Sequence, residues 1–119
     1  MVKILIADDS AFMRKIVRGI VEKAGHKTII EASDGGQAAE MYRKEKQDVV
    51  LMDIIMAPKT GLEALEEIKA FDKKAKVIMI TAVGQEAMIE DAKKLGCIGY
   101  VLKPFKEEAV VAALKKALA

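Results

Sequence analysis

Acidic, hydroxyl and basic side chains stand at the ends of short apolar segments in this sequence. Asp8 and Asp9 follow the first segment, and Asp53 follows a later one. Thr81 and Lys103 close two more. The segments are short and rich in β-branched residues, and helical stretches separate them, which is typical of parallel strands. Because the carboxyl ends of parallel strands meet at one edge of a sheet, we expect these five side chains to converge on one crevice.

Three carboxylates in one crevice cannot all stay ionised without a counter-charge. Either some of them are protonated or a cation lies among them, and hard oxygen ligands with room for water suit Mg²⁺ or Mn²⁺. The predicted crevice contains neither His nor Cys, which argues against zinc. A carboxylate beside a divalent metal can act as a nucleophile towards phosphorus. The Lys103 ammonium can pair with one phosphoryl oxygen, and the Thr81 hydroxyl can donate to another.

The elements that must position these side chains alternate regularly along the chain. Five βα units predict an α/β fold with a doubly wound, five-stranded parallel sheet and helices on both faces. If the strands that end near Asp8 and Asp53 are neighbours, their ends form the topological switch point of that sheet. The predicted strands are Val2–Ala7, Thr28–Glu31, Val49–Met52, Val77–Thr81 and Ile98–Leu102.

Caps, glycine stops and apolar periodicity predict the helices. Ser10 can cap a first helix that runs to Ala24 and places Phe12, Ile16 and Ile20 on one face together with Ala24. The other four helices are predicted at about 34–46, around Leu62, Leu65 and Ile68, at about 85–95, and around Val110, Leu114 and Leu118.

The composition indicates one domain over residues 1–119 with an aliphatic core, since 52% of the residues are hydrophobic and only 4% are aromatic. The net charge of +2 is spread along the chain, so no nucleic-acid partner is expected, and Arg14, Lys15 and Arg18 are interpreted as a solvated helix face. No apolar segment approaches a membrane span and no signal peptide is evident, so we expect a cytoplasmic protein without a membrane partner. Cys97 is the only cysteine, which agrees with a reducing compartment. A monomer is expected.

The strand-end residues resemble the receiver domain of response regulators from one end of the chain to the other. The matching elements are Asp8-Asp9, Asp53, Gly61 eight residues later, Thr81-Ala82 and Lys103-Pro104-Phe105. The resemblance implies a flavodoxin-like (βα)5 fold with strand order 2-1-3-4-5. Within the family, residues 9–14 resemble those of the single-domain chemotaxis regulators.

The resemblance also implies a role for each residue of the crevice. Asp53 would accept a phosphoryl group from a histidine kinase, and Lys103 would contact that group. Asp9, Asp53 and the backbone carbonyl of Ile55 would bind Mg²⁺, or alternatively Mn²⁺. Asp8 would hold a metal-bound water or complete the ligand set.

Thr81 and Tyr100 would form the switch pair, which changes the face made by the fourth helix, the fifth strand and the fifth helix. The implied partners are a histidine kinase, a flagellar motor switch protein or an equivalent adaptor, and a phosphatase. The implied function is signalling in chemotaxis, and the only catalysis expected is that of the protein's own phosphorylation and dephosphorylation. The alternative within the family is a single-domain phosphorelay intermediate of the sporulation type.

Each residue also has a plain structural interpretation. Asp8 and Asp9 could cap a helix, Asp53 could leave a strand through a turn, and Tyr100 could simply pack. Two other functions share parts of the pattern. A phosphatase of the haloacid-dehalogenase type would need an acid at Ile55, and a flavin carrier would need a phosphate-binding loop where the two acids stand.

The chain departs from the family pattern after the acceptor. Pro usually follows the methionine directly, whereas here the order is Met56-Ala57-Pro58, followed by Lys59-Thr60. The loop conformation and the start of the third helix are therefore open at this point. Ile55 and Val83 are apolar where many relatives carry polar side chains. Because neither can hydrogen-bond a water, we predict slow hydrolysis of the acyl phosphate.

Overall fold

The structure is a computed structural model, and it describes residues 1–82 and 84–119. Its five strands pair in parallel in the order β2-β1-β3-β4-β5. This confirms the predicted α/β class, with a doubly wound, flavodoxin-like sheet. The elements in chain order are β1 (Lys3–Ala7), α1 (Ala11–Lys23), β2 (Thr28–Ala32), α2 (Gly35–Lys44), β3 (Val49–Asp53), α3 (Gly61–Phe71), β4 (Val77–Ala82), α4 (Glu86–Lys94), β5 (Gly99–Lys103) and α5 (Glu107–Leu118).

Apolar side chains on opposite faces of the sheet form two core clusters. Alternate strand residues point to opposite faces, so Leu5 joins the cluster beneath α2, α3 and α4, while Ile4 and Ile6 join the one beneath α1 and α5. Every residue of β3 is buried, because this central strand is covered on both faces. Within the described residues, none of the helices combines the length and apolar character needed to cross a bilayer.

Four strands, β2 to β5, end one residue later than predicted, and β2 ends at Ala32. Asp53 is the last residue of β3, Ala82 the last of β4 and Lys103 the last of β5. The pairings that hold these ends are Asp53 with Ile80 and Ala82 with Lys103. Polar residues at strand ends look like loop residues in a sequence, but backbone pairing keeps them in the sheet.

The predicted inward face of α1 is partly wrong. Phe12 is 72% exposed and Ile16 is also exposed, whereas Val17, Ile20 and Val21 are buried. The helix packs on β1 and α5, and the residues that reach this core belong to its middle and C-terminal turns. The first apolar residue of the periodic pattern therefore points to solvent beside the acidic crevice.

The start of α3, which the sequence left open, is defined by a capping box. The Thr60 hydroxyl accepts from the backbone N–H of Glu63, and the Glu63 carboxylate accepts from the backbone N–H of Thr60. Met56 is buried in the core, and the Ala57–Pro58 peptide bond is cis. The altered loop thus still brings α3 back directly beneath the end of β3.

Candidate functional site

Three carboxylates gather at the switch point of the sheet. Asp8 and Asp9 follow β1 and Asp53 ends β3, and these two strands are neighbours. One oxygen from each carboxylate lies within 4.8 Å of the other two. Asp8 and Asp53 are buried and Asp9 is exposed, so the cluster forms a crevice that opens towards solvent on one side.

The Lys103 ammonium enters the same crevice from β5. Its Nζ lies 3.0 Å from Asp53 Oδ2 and 3.4 Å from Asp8 Oδ2. Burial lowers the pKa of Lys103, but the contacts with Asp53 and Asp8 outweigh this and hold the pKa above its ordinary value. The lysine therefore stays charged and supplies part of the counter-charge that the carboxylates need.

The surroundings of the Asp53 carboxyl shift its pKa. Burial raises its pKa above the ordinary value, because a charged carboxylate is poorly solvated there. The Lys103 ammonium and a 3.3 Å hydrogen bond from the backbone N–H of Ile55 oppose this rise. The charge of the Asp53 carboxylate is therefore incompletely compensated in the crevice, and a bound cation would supply the missing positive charge.

Asp8 is held by groups on several sides. Its Oδ1 accepts from the Ser10 backbone N–H at 2.9 Å, and its backbone N–H donates to the carbonyl of Ala32 at 3.1 Å. Its own carbonyl oxygen accepts from Arg14 Nη1 at 2.7 Å. Arg14 is fixed in turn by Glu31, whose Oε1 lies 3.0 Å from Arg14 Nε.

The interpretation of Arg14 as part of a solvated helix face is therefore wrong. Its side chain is only 18% exposed, whereas the neighbouring Lys15 is exposed. Arg14 was missed because Glu31, its partner, lies on β2 and is separated from it by 17 residues. The sequence signal that could have identified Arg14 is a basic residue in the first turn of a helix, directly after two acidic residues.

The donor set fits a small divalent cation. All three side chains offer oxygen, which is the ligand that Mg²⁺ and Mn²⁺ prefer. Because one oxygen of each lies within 4.8 Å of the other two, one ion with Mg–O bonds of about 2.1 Å can reach more than one carboxylate after small side-chain shifts. Asp8, Asp9 and Asp53 are thus the residues that could hold the ion. The Ile55 backbone carbonyl stays a predicted fourth ligand.

Thr81 lies on β4, directly beside the end of β3. It follows Ile80, which is the register partner of Asp53, and its side chain is completely buried. The Thr81 hydroxyl donates to Gln85 Oε1 at 2.6 Å. Gln85 is a second residue that the sequence analysis missed, because nothing in the pattern of a glutamine before a helix distinguishes it from an ordinary cap.

Tyr100 does not lie in the crevice. It is 43% exposed on β5, with the Lys93 ammonium 5.2 Å from its ring centroid. Thr81 pairs with Leu102, so Tyr100 stands two residues away on the same face of the sheet. The two residues predicted as a switch pair are thus diagonal neighbours. Val83 lies outside the described residues.

Comparison with known proteins identifies the family. The sequence profile of the response regulator receiver domain matches residues 4–115. The chain is 42% identical to the chemotaxis protein CheY of Bacillus subtilis over 116 residues, which cover 98% of this chain and 97% of the relative. It is 36% identical to sporulation initiation phosphotransferase F of the same species over 116 residues, which cover 98% and 93%.

A solved structure agrees in sequence and in shape. CheY of Borrelia burgdorferi, crystallised in a CheX-CheY-BeF3-Mg²⁺ complex, superposes with a TM-score of 0.93 and 32% identity, covering 99% of this chain and 90% of that one. The similarity extends over all five βα units, and the acids, threonine and lysine singled out above stand at the strand ends of this same fold. The chain therefore belongs to the response regulator receiver domain family and is similar to CheY.

Proposed function

We propose that this protein is a phosphorylation-activated response regulator of chemotaxis. In this proposal Asp53 accepts a phosphoryl group from a histidine kinase, and the phosphorylated protein signals to a flagellar motor switch protein or an equivalent adaptor. The observation that carries the proposal is the buried Asp53 carboxylate, 3.0 Å from Lys103 and within 4.8 Å of two further acids. Similarity to the CheY proteins of three species, Bacillus subtilis, Thermotoga maritima and Listeria monocytogenes, supports the chemotaxis assignment.

The chemistry proposed for Asp53 is a displacement at phosphorus. A carboxylate oxygen forms the new O–P bond while the P–N bond of the kinase phosphohistidine breaks, and its electron pair stays on the imidazole. Lys103 is already oriented by Asp53, so its ammonium can turn to a phosphoryl oxygen as that oxygen arrives. Asp8, Asp9, Asp53 and the Ile55 carbonyl would hold Mg²⁺ or Mn²⁺, which supplies charge neutralisation at the phosphoryl group.

The proposed response involves Thr81 and Tyr100. The Thr81 hydroxyl turns from its present partner to a phosphoryl oxygen, which opens space for the Tyr100 ring to move inward from the surface. This changes the face formed by α4, β5 and α5, where Tyr100, Ile98 and Leu102 are now exposed. The modification is local, and its effect is a shift in the population of two conformations.

The protein is proposed to act in the cytoplasm and to process no substrate beyond its own phosphoryl group. A partner phosphatase is part of the proposal, because the exposed Ile55 side chain cannot position a water for hydrolysis. The structure of the Borrelia relative in complex with CheX shows that a protein of this fold can bind a second protein chain.

The second candidate is a single-domain phosphorelay intermediate. The 36% identity to sporulation initiation phosphotransferase F over nearly the full chain favours it. The two functions differ in where the phosphoryl group goes. An intermediate passes the group rapidly from Asp53 to a histidine of a phosphotransfer protein, whereas a chemotaxis regulator retains it until hydrolysis.

The test of phosphorylation uses acetyl phosphate and Mg²⁺, with the intact protein measured by mass spectrometry. Wild type should gain one phosphoryl group, and Asp53→Asn should gain none, because the amide is not a nucleophile towards phosphorus. Asp91→Asn is the matched control, since Asp91 is exposed on α4, and it should be phosphorylated like wild type. An adduct that persists in Asp53→Asn would refute the assignment.

A further inference from the structure

The carboxamide of Gln85 holds two groups at the end of β4. Its Oε1 accepts from the Thr81 hydroxyl at 2.6 Å and from the Ala82 backbone N–H at 3.3 Å. A backbone N–H can only donate, so the carboxamide atom that faces it is the oxygen. The Thr81 hydroxyl, which faces the same atom, must therefore be the donor.

Thr81 is completely buried, so its hydroxyl cannot turn to water when it leaves Gln85. A buried donor without a partner is costly, and the hydroxyl needs a second acceptor for any second orientation. In the sheet, Thr81 lies beside the end of β3, where Asp53 stands. A phosphoryl group on Asp53 would place charged oxygens there. A charged oxygen is a stronger acceptor than a neutral carboxamide oxygen.

We propose that Gln85 is a positioning residue that competes with the phosphoryl group for the Thr81 hydroxyl, an inference that rests on the proposed function. Before phosphorylation, Gln85 holds the hydroxyl in the orientation seen here. After phosphorylation, the hydroxyl donates to the phosphoryl oxygen, and the Gln85 carboxamide is released from it. The strength of the Gln85 contact therefore sets how readily the active conformation forms.

The released residue stands at the start of α4. The Gln85 backbone carbonyl accepts from the N–H groups of Met88 and Ile89 at 3.0 and 3.3 Å, and these bonds form the first turn of the helix. At the other end of α4, Lys93 lies over the Tyr100 ring. Gln85 thus connects the Thr81 hydroxyl to the first turn of the helix that borders Tyr100.

The experiment measures beryllofluoride binding in the presence of Mg²⁺, with bound fluoride counted by ¹⁹F NMR. Gln85→Met keeps the length of the side chain and removes the acceptor, so it should bind beryllofluoride about five-fold more tightly, the change that about 1 kcal/mol of lost hydrogen bonding gives. Gln85→Glu keeps an acceptor for the hydroxyl and should show no gain. Affinity for Mg²⁺ alone should be the same in all three proteins.

A double-mutant cycle with Thr81→Ala separates the proposed contact from any other effect of residue 85. Without the hydroxyl there is nothing for Gln85 to hold, so Gln85→Met should no longer increase the affinity. The proposal is overturned if Gln85→Met binds like wild type, if Gln85→Glu gains equally, or if the gain persists in Thr81→Ala. Failure of wild type itself to bind beryllofluoride would instead count against the proposed function.

Discussion

Asp53 differs from the other carboxylates of the chain in its surroundings. It is buried at the end of a central strand, its pKa is raised by that burial, and one ammonium lies 3.0 Å away. Lys103 balances only part of the negative charge, because Asp8 shares the same ammonium and Asp9 lies nearby. The crevice therefore retains an excess of negative charge, which a bound cation would balance.

Mg²⁺ should bind weakly and should depend on Asp9 and Asp53. The site is open on one side, so waters complete the coordination and the protein contributes few ligands. Isothermal titration of Mg²⁺ into Asp9→Ala and Asp53→Ala should show affinity reduced at least ten-fold. The control is Glu40→Ala, which removes an exposed acid from α2 and should leave the affinity unchanged. Equal affinity in all of these proteins would reject the site.

The lifetime of the phosphoryl group should depend on residue 55. Ile55 is 45% exposed and follows Asp53 by two positions, so its side chain can exclude water from the approach to phosphorus without being able to orient it. Ile55→Asn should hydrolyse the acyl phosphate several-fold faster than wild type after removal of the donor. Ile55→Val, which stays apolar, should retain the slow rate. Identical decay in all three proteins would exclude residue 55 from control of water access.

At the scale of elements, the backbone of α3 approaches the end of β3 very closely. The N–H of Gly61 donates to the carbonyl of Ile54 at 2.7 Å, and a Cβ on Gly61 would lie 2.0 Å from the carbonyl oxygen of Asp53. No side chain larger than hydrogen fits there. Gly61, eight residues after Asp53, therefore sets the distance between α3 and the site.

Gly61→Ala should lower stability by about 1–3 kcal/mol and also weaken Mg²⁺ binding, because the clash moves the backbone that carries Asp53. Gly19→Ala provides the matched control. A Cβ at Gly19 meets nothing within 4 Å, and alanine in mid-helix stabilises by up to about 1 kcal/mol. Thermal unfolding and Mg²⁺ titration of both variants give the measurement. If Gly61→Ala matched Gly19→Ala in both, the close approach would be unimportant.

The strand pattern was predictable because β-branched segments, punctuated by polar residues, reflect burial on both faces of a sheet. The convergence of Asp8, Asp53 and Lys103 followed from topology alone. The exposure of Phe12 was not predictable. Periodicity shows which residues share a helix face, but it does not show how far the helix extends beyond the elements on which it packs. Arg14 was missed because tertiary packing brings its partner Glu31 to it, and Gln85 was missed because a glutamine before a helix resembles an ordinary cap.

At the scale of the whole molecule, a partly buried polar contact lies at the end of the fold opposite the acidic crevice. The hydroxyl of Tyr42 on α2 donates to Asp72 Oδ2, just after α3, at 2.7 Å. Burial, together with the neighbouring Asp72 carboxylate, raises the pKa of Tyr42, and the Tyr42 hydrogen bond lowers the pKa of Asp72. This pair joins the C-terminal ends of two helices, whereas the acidic crevice lies near their N-terminal ends.

Tyr42→Phe should lower the melting temperature by several degrees near neutral pH and leave Mg²⁺ affinity unchanged. The Asp72 pKa is depressed, so its contribution is present above its ordinary value of 3.8 and is lost as pH falls below it. The Tyr42 pKa is raised, so its contribution is present below 10.0 and is lost as pH rises above it. The difference between variant and wild type should therefore be largest from about pH 5 to 9 and shrink at both extremes. A difference that is constant with pH would contradict this linkage.

Lys103 reaches carboxylates that precede it by 50 and 95 residues, and it stands 16 positions before Ala119. Polypeptides are synthesised from the N-terminus, so a growing chain carries all three acids long before it carries their ammonium. The crevice is complete only when β5 has emerged from the ribosome and paired with β4. Under the proposed function, nascent chains that still lack β5 are therefore poor phosphoryl acceptors.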